Sequence, residues 1–133
     1  MIPRNVRLFE WLMYSTVVIT LIAAPFNARF YQAIKRFGLI DLPIGLVAIG
    51  IFALIIWGIA RKRQNWLRWT MAAIFVISLP NIIRGDLLII SVEPLNAWLS
   101  LLTSLIQACA YYFIYTGDAV PWFQNREKTA DLR

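Results

Sequence analysis

The chain has 133 residues, of which 60% are hydrophobic, and 13 Lys and Arg against 7 Asp and Glu give a net charge of +6. Apolar residues make up nearer half of a soluble domain, so this excess favours lipid as the solvent. With no histidine and one cysteine, the chain has no intrachain disulfide and no histidine-based metal or haem site, and we expect no cofactor. The cations lie at the ends of apolar runs, so nucleic acid is not an expected partner.

The first apolar run, 8–24, predicts a retained membrane span rather than a cleaved signal peptide, since no small-residue cleavage site follows it. Pro25 ends the run. Glu10 lies near its start, three residues after Arg7, where an ion pair between the two at headgroup level is the favoured interpretation. The alternative is a coupling carboxylate inside the membrane.

Residues 27–38 predict a short amphipathic helix lying in the membrane interface, with Asn27 as its N-cap and Gly38 as its stop. Three aromatic and aliphatic side chains fall on one face, and basic side chains lie elsewhere. The cations expected to meet lipid headgroups here are Arg29, Lys35 and Arg36. The alternative is an ordinary connecting loop.

Two further spans, 43–60 and 66–83, flank the basic loop that contains Arg61, Lys62 and Arg63. Lys and Arg in short loops are retained on the cytoplasmic side, so this loop sets the orientation, and its cations are also expected at lipid headgroups. Pro80 predicts a kink or an early end of the third span. The apolar stretch 87–92 is too short to span and is expected to pack against the top of the bundle.

The fourth span, 94–116, carries polar and small residues at helical spacing along one stripe. The members of this stripe are Asn96, Ser100, Thr103, Ser104, Gln107, Ala108 and Tyr111. Polar groups are costly against lipid, so we expect the stripe to face other helices and to make interhelical hydrogen bonds rather than to line a pathway. The remaining residues, 117–133, predict a polar cytoplasmic tail in which Pro121, Trp122 and Phe123 form an interfacial anchor.

The expected fold is therefore all-α: one integral membrane domain over 1–133, an antiparallel bundle of four transmembrane helices with the interfacial helix between spans 1 and 2. Placing both termini in the cytoplasm puts 9 of the 13 cations on that side. These nine are Arg4, Arg7, Arg61, Lys62, Arg63, Arg68, Arg126, Lys128 and Arg133.

Three motifs carry a resemblance to a known class of protein. They are Arg7-Leu8-Phe9-Glu10-Trp11-Leu12-Met13-Tyr14, Ala110-Tyr111-Tyr112-Phe113-Ile114-Tyr115-Thr116 and Pro121-Trp122-Phe123. The chain resembles small bacterial inner-membrane proteins with four predicted spans and no assigned activity. The resemblance implies a bacterial inner membrane and assigns no functional residue.

The residues available for chemistry argue against an enzyme, because the chain offers no histidine, no metal-ligand set and no nucleophile beside a base. We expect a non-enzymatic accessory, assembly or structural subunit that packs its fourth-span face, or its second span, in the bilayer against a larger membrane protein; a homo-oligomer is the other expected partner. One alternative is a small oligomeric exporter or flippase-like carrier, for which Glu10 is the possible coupling carboxylate. Another is an immunity protein that blocks a pore-forming toxin.

Overall fold

The computed structural model of the protein describes residues 2–24 and 41–130, with residues 41, 42 and 125–130 described by their backbone alone. Within these ranges the chain forms five helices and no strand, which confirms the all-α prediction. The helices are α1 (Arg4–Ala23), α2 (Asp41–Lys62), α3 (Asn65–Ile89), α4 (Pro94–Ile114) and α5 (Ala119–Ala130). The four helices α1 to α4 are long and apolar enough to cross a membrane. The predicted interfacial helix over 27–38, with Arg29, Lys35 and Arg36, lies outside the described residues.

Helix α3 is longer than the predicted third span. It continues through Pro80 to Ile89, so the early end that proline predicted is wrong. Proline removes one backbone hydrogen bond, but local adjustment of the neighbouring turns lets a long apolar helix continue through it. The stretch that was expected to pack on the bundle top begins instead as the last turn of α3, where Leu87 and Leu88 are exposed. At 25 residues, α3 is about 37 Å long at 1.5 Å per residue.

Helices α1 to α4 form a ring of contacts, in which each helix packs against the next and α4 packs against α1. The most extensive of these contacts is between α1 and α4, and α2 and α3 contact each other least. The buried core lies at one end of the ring, where the first half of α1 meets the last turns of α2 and α4. Its members are Val6, Phe9, Met13, Ile56, Ile59, Ala60, Ala110, Tyr111, Ile114, Ala119 and Phe123. Below, this is called the packed end.

The start of α1 is capped by a residue from the other end of the chain. Pro3, which precedes the helix, makes no side-chain cap. The backbone N–H groups of Arg4 and Asn5 instead donate to the Asp118 carboxylate, at 2.8 Å to Oδ2 and 3.0 Å to Oδ1. The Asn5 amide also donates to the Thr116 carbonyl at 2.9 Å. The first turn of a helix leaves N–H donors unsatisfied, so this clasp ties α1 to the turn between α4 and α5.

The predicted polar tail proves to be partly structured, because α5 occupies most of it. Phe123 is 1% exposed and belongs to the core, while Trp122 packs against the core as a half-buried side chain. The interfacial-anchor prediction for Phe123 is therefore wrong: its ring is covered by protein. The sequence signal was ambiguous because an aromatic pair beside polar residues suits either a membrane interface or a capping helix.

Away from the packed end the helices expose large apolar side chains. On α2 these include Ile44, Leu46, Val47 and Ile51, and on α3 they include Val76, Ile77, Leu87 and Leu88. Soluble monomers rarely present contiguous apolar surface on this scale.

Candidate functional site

A cleft lined by both polar and apolar side chains, below called the polar cleft, lies between α1 and α4, reaches the middle of α2 and extends away from the packed end. Two adjoining pockets of about 310 and 230 Å³, which share Thr20, make up this cleft. The polar residues that line it are Thr16 and Thr20 of α1 and Asn96, Ser100, Thr103 and Gln107 of α4. Four of the seven predicted stripe residues therefore lie together at this cleft, with Gln107 at the part that α2 also lines.

The hydroxyls of the cleft bond to the backbone of their own helices. Thr16 donates to the Met13 carbonyl and Thr20 to the Thr16 carbonyl, both at 2.8 Å. On α4, Thr103 and Ser104 both donate to the carbonyl of Ser100, at 2.8 and 3.0 Å. The predicted interhelical hydrogen bonds are thus not donated by these hydroxyls, because each donates its one proton to a carbonyl three or four residues earlier on its own helix. The hydroxyl oxygens of Thr16, Thr20 and Thr103, which line the cleft, can still accept a hydrogen bond.

The other three stripe residues are placed differently from one another. Ser104 is buried inside the chain, and Tyr111 is a core residue whose ring contacts those of Phe9 and Phe75 at centroid distances of 6.3 and 5.1 Å. Ala108 is exposed. The stripe therefore packs within the chain at Ser104 and Tyr111, lines the cleft at its other four polar residues and is exposed at Ala108.

Glu10 lies at the packed end and forms an ion pair with α2. Its Oε1 accepts a hydrogen bond from Nε of Arg61 at 3.1 Å, and the residue is 8% exposed while the Arg61 side chain is half exposed. The partner predicted from sequence was Arg7, which is instead exposed on α1. Three residues of spacing allows a pair, but packing of α1 against α2 brings a cation from 51 positions away closer to the carboxylate. Glu10 does not line the polar cleft.

Arg68 is the second charged group at the packed end, and its role was not predicted. It is buried, with its guanidinium carbon 4.4 Å from the Phe123 ring centroid and 4.7 Å from that of Tyr115. Its Nη1 donates to the Ile114 carbonyl at 3.5 Å, and the Tyr115 hydroxyl donates back to the Arg68 carbonyl at 3.0 Å. A guanidinium between aromatic faces is stabilised by the ring quadrupoles, so Arg68 joins α3 to the junction of α4 and α5.

Two cations of the α2–α3 loop region, Lys62 and Arg63, each lie over a tryptophan ring. The Arg63 guanidinium lies 3.5 Å from the Trp122 ring centroid, and Lys62 Nζ lies 5.3 Å from that of Trp57. Arg63 adopts a left-handed backbone with φ of 53°, which lets two residues connect α2 to α3. Whether these cations meet lipid headgroups, as the sequence predicts for Arg61, Lys62 and Arg63, stays a prediction.

A buried carboxylate on α3, Asp86, is not among the predicted site residues. Its Oδ2 accepts no hydrogen bond in the described ranges 2–24 and 41–130. Over the same residues no group of three or more His, Cys, Asp or Glu comes together to hold a metal ion. No Asp, Glu, Lys or Arg is among the residues that line the cleft in this part of the chain. What the arrangement offers chemically is binding and packing, through acceptor oxygens and apolar surface.

Comparison with protein-family models, with curated proteins and with solved structures finds no match to this chain.

Proposed function

We propose that the protein is a multi-pass membrane protein of the bacterial inner membrane, an antiparallel bundle of α1 to α4 with both termini in the cytoplasm. The clasp of Asp118 on α1 and the ion pair of Glu10 with Arg61 bring the start of α1, the α2–α3 loop and the α4–α5 turn to one end. Of the seven Lys and Arg whose side chains are described, five lie in these segments and a sixth, Arg68, lies beside them. The seventh, Arg84, lies near the other end of α3. This distribution supports the positive-inside orientation.

Within that membrane, the protein acts as a non-enzymatic accessory or assembly subunit that docks through α3 on a larger membrane protein. The observation that carries this proposal is the burial of α3. Among the described residues α3 buries only Arg68 and Asp86. In its most apolar stretch 6% of the residues are buried, against 22–28% of the residues in the corresponding stretches of the other three long helices. A long helix that contributes so little to its own core leaves a whole apolar face available to another membrane protein.

Photo-crosslinking in native membranes tests this docking surface. A photoreactive amino acid at Ile77 of α3, which is 73% exposed, is compared with the same amino acid at Leu105 of α4, which is 62% exposed. We expect the photoreactive residue at Ile77 to give a discrete adduct with one larger membrane protein, and the one at Leu105 to give lipid adducts. Native mass spectrometry is expected to show that larger protein bound at a fixed stoichiometry. Lipid adducts alone at both positions would contradict the accessory role.

The polar cleft favours a second candidate, a small oligomeric carrier that binds a polar solute. Its acceptor oxygens face a space of several hundred Å³, although the core at the packed end blocks a continuous path through one copy. In this case Ile77 crosslinks a second copy of the chain. Gln107→Leu then abolishes transport by the purified protein in liposomes, while Glu10→Gln, away from the cleft, leaves it intact. Unchanged transport in Gln107→Leu would remove the candidate.

A further inference from the structure

The inner part of the polar cleft is the pocket of about 230 Å³ that α1, α2 and α4 line together. Thr16 and Thr20 of α1 and Gln107 of α4 supply its polar walls, and Ile49 and Phe52 of α2 supply apolar ones. Gln107 lies seven residues before the end of α4, which is about 10 Å along the helix axis. In the proposed membrane, the pocket therefore lies at the depth of the hydrocarbon core.

The threonine hydroxyls at this pocket are available only as acceptors. Thr16 and Thr20 donate their protons to carbonyls of α1 at 2.8 Å, and Thr103, in the adjoining pocket, donates its proton to the Ser100 carbonyl at 2.8 Å. A hydroxyl whose proton is already donated keeps a lone pair, so each of these threonines can accept a hydrogen bond from a ligand. A ligand that presents N–H or O–H donors therefore complements these walls.

Gln107 supplies the donors of the pocket. Its amide carries two N–H donors and one acceptor oxygen, and in the ranges 2–24 and 41–130 no residue forms a hydrogen bond with it. A polar group that is removed from water without a hydrogen-bond partner costs free energy. A solute with an acceptor of its own is therefore stabilised at Gln107.

The pocket carries no charge to match an ionic solute. Of the side chains described at its walls, none belongs to Asp, Glu, Lys or Arg. Glu10 lies on the same helix as Thr16 but at the packed end, where Arg61 already pairs with it. Because an unpaired charge is far more costly to bury than a neutral polar group, the pocket favours an uncharged solute.

We propose that the inner part of the polar cleft binds one small uncharged solute that carries N–H or O–H donors on an apolar body. The donors of the solute bind the oxygens of Thr16 and Thr20, its acceptor binds the Gln107 amide, and its apolar body packs against Ile49 and Phe52. A primary amide has this combination, with two N–H donors and one carbonyl oxygen. The inference rests on the carrier proposed above, for which it names the class of solute.

Ligand-detected NMR titrations of the purified full chain in one detergent test the site with three probes of similar size. Benzamide has both the donors and the acceptor, N,N-dimethylbenzamide lacks the donors, and benzylamine is a cation at neutral pH. We expect benzamide to bind about tenfold more tightly than N,N-dimethylbenzamide, which is the usual effect of two lost hydrogen bonds. Benzylamine is expected not to bind at the pocket.

Three variants locate the binding within the chain. Thr16→Val removes one acceptor with little change of shape and is expected to weaken benzamide binding about threefold to tenfold. Gln107→Leu is expected to abolish the preference for benzamide. Thr70→Val is the matched control and is expected to change nothing, because the Thr70 hydroxyl also donates to its own helix, at the Trp66 carbonyl, but is exposed on α3 outside the pocket. Comparison of the variants in the same detergent cancels partitioning of the probes into micelles.

Equal affinity for benzamide and N,N-dimethylbenzamide, or equally tight binding of benzylamine, would overturn the assignment. An equal effect of Thr16→Val and Thr70→Val would do the same. Thermal unfolding of each variant separates a lost site from a lost fold, and Gln107→Leu decides the matter if Thr16→Val does not fold. Uptake into liposomes separates this failure from that of the carrier. Selective benzamide binding without transport contradicts only the carrier, whereas transport of a charged solute that depends on Gln107 contradicts only the class of solute.

Discussion

Asp118 shows how much of this molecule depends on single side chains at the packed end. Its carboxylate satisfies two donors of the first turn of α1, and the turn before it is shaped to allow this. Gly117 has φ of +59°, and a Cβ there would lie 2.5 Å from Nδ2 of Asn5. Glycine is therefore required twice over, by the left-handed backbone and by the close approach of Asn5.

Asp118→Ala is expected to lower the free energy of unfolding by about 1–2 kcal/mol, the usual cost of losing a helix cap. Asp118→Asn keeps one acceptor oxygen and is expected to lose less. Unfolding in detergent by circular dichroism measures both. If Asp118→Ala melts like the wild type, the clasp contributes nothing to stability.

A substitution at Ser104 distinguishes two roles of the stripe, packing within the chain and docking on a partner protein. Because Ser104 is 9% exposed, Ser104→Leu is expected to overpack the interior of the bundle and to lower stability by about 1–3 kcal/mol. Cys109→Leu, at an exposed position on the same helix, is the matched control and is expected to be close to neutral. Normal stability of Ser104→Leu together with lost association would restore the stripe as a docking face.

At the scale of elements, α5 makes the segment after α4 part of the packed structure. A segment that looked like a polar tail contributes Phe123 to the core and provides rings for Arg68 and Arg63. α5 contacts both α1 and α4, so it covers the packed end of the bundle.

Phe123→Ala is therefore expected to lower the free energy of unfolding by about 3 kcal/mol or more, the usual range for a buried aromatic. Gln124→Ala changes the exposed neighbour and is expected to have little effect. Thermal melts in one detergent compare the two variants. Equal melting temperatures would mean that α5 does not pack on the bundle in solution.

At the scale of the whole molecule, the proposed topology places α5 and the α3–α4 connection on opposite sides of the membrane. In a Cys109→Ser background, Gln124→Cys and Ser91→Cys each introduce one exposed thiol. We expect a membrane-impermeant maleimide to label Ser91→Cys in intact bacterial cells and to reach Gln124→Cys only after lysis. The reverse pattern would invert the orientation.

The sequence by itself determined the helical class and the four apolar helices, because a long apolar run with few charges is a local property that each helix carries alone. It also indicated that Asn96, Ser100, Thr103 and Gln107 share a face, since helical spacing decides that.

Only the tertiary structure decided which groups those residues meet. The pairing of Glu10 with Arg61, the Asp118 cap and the burial of Phe123 join residues 51 or more positions apart, and no local pattern encodes such distances. The small contact between α2 and α3 likewise depends on how far the two helices separate after a two-residue turn. Periodicity assigns a side chain to a face, while packing of the whole chain decides whether that face meets a helix, a ligand or lipid.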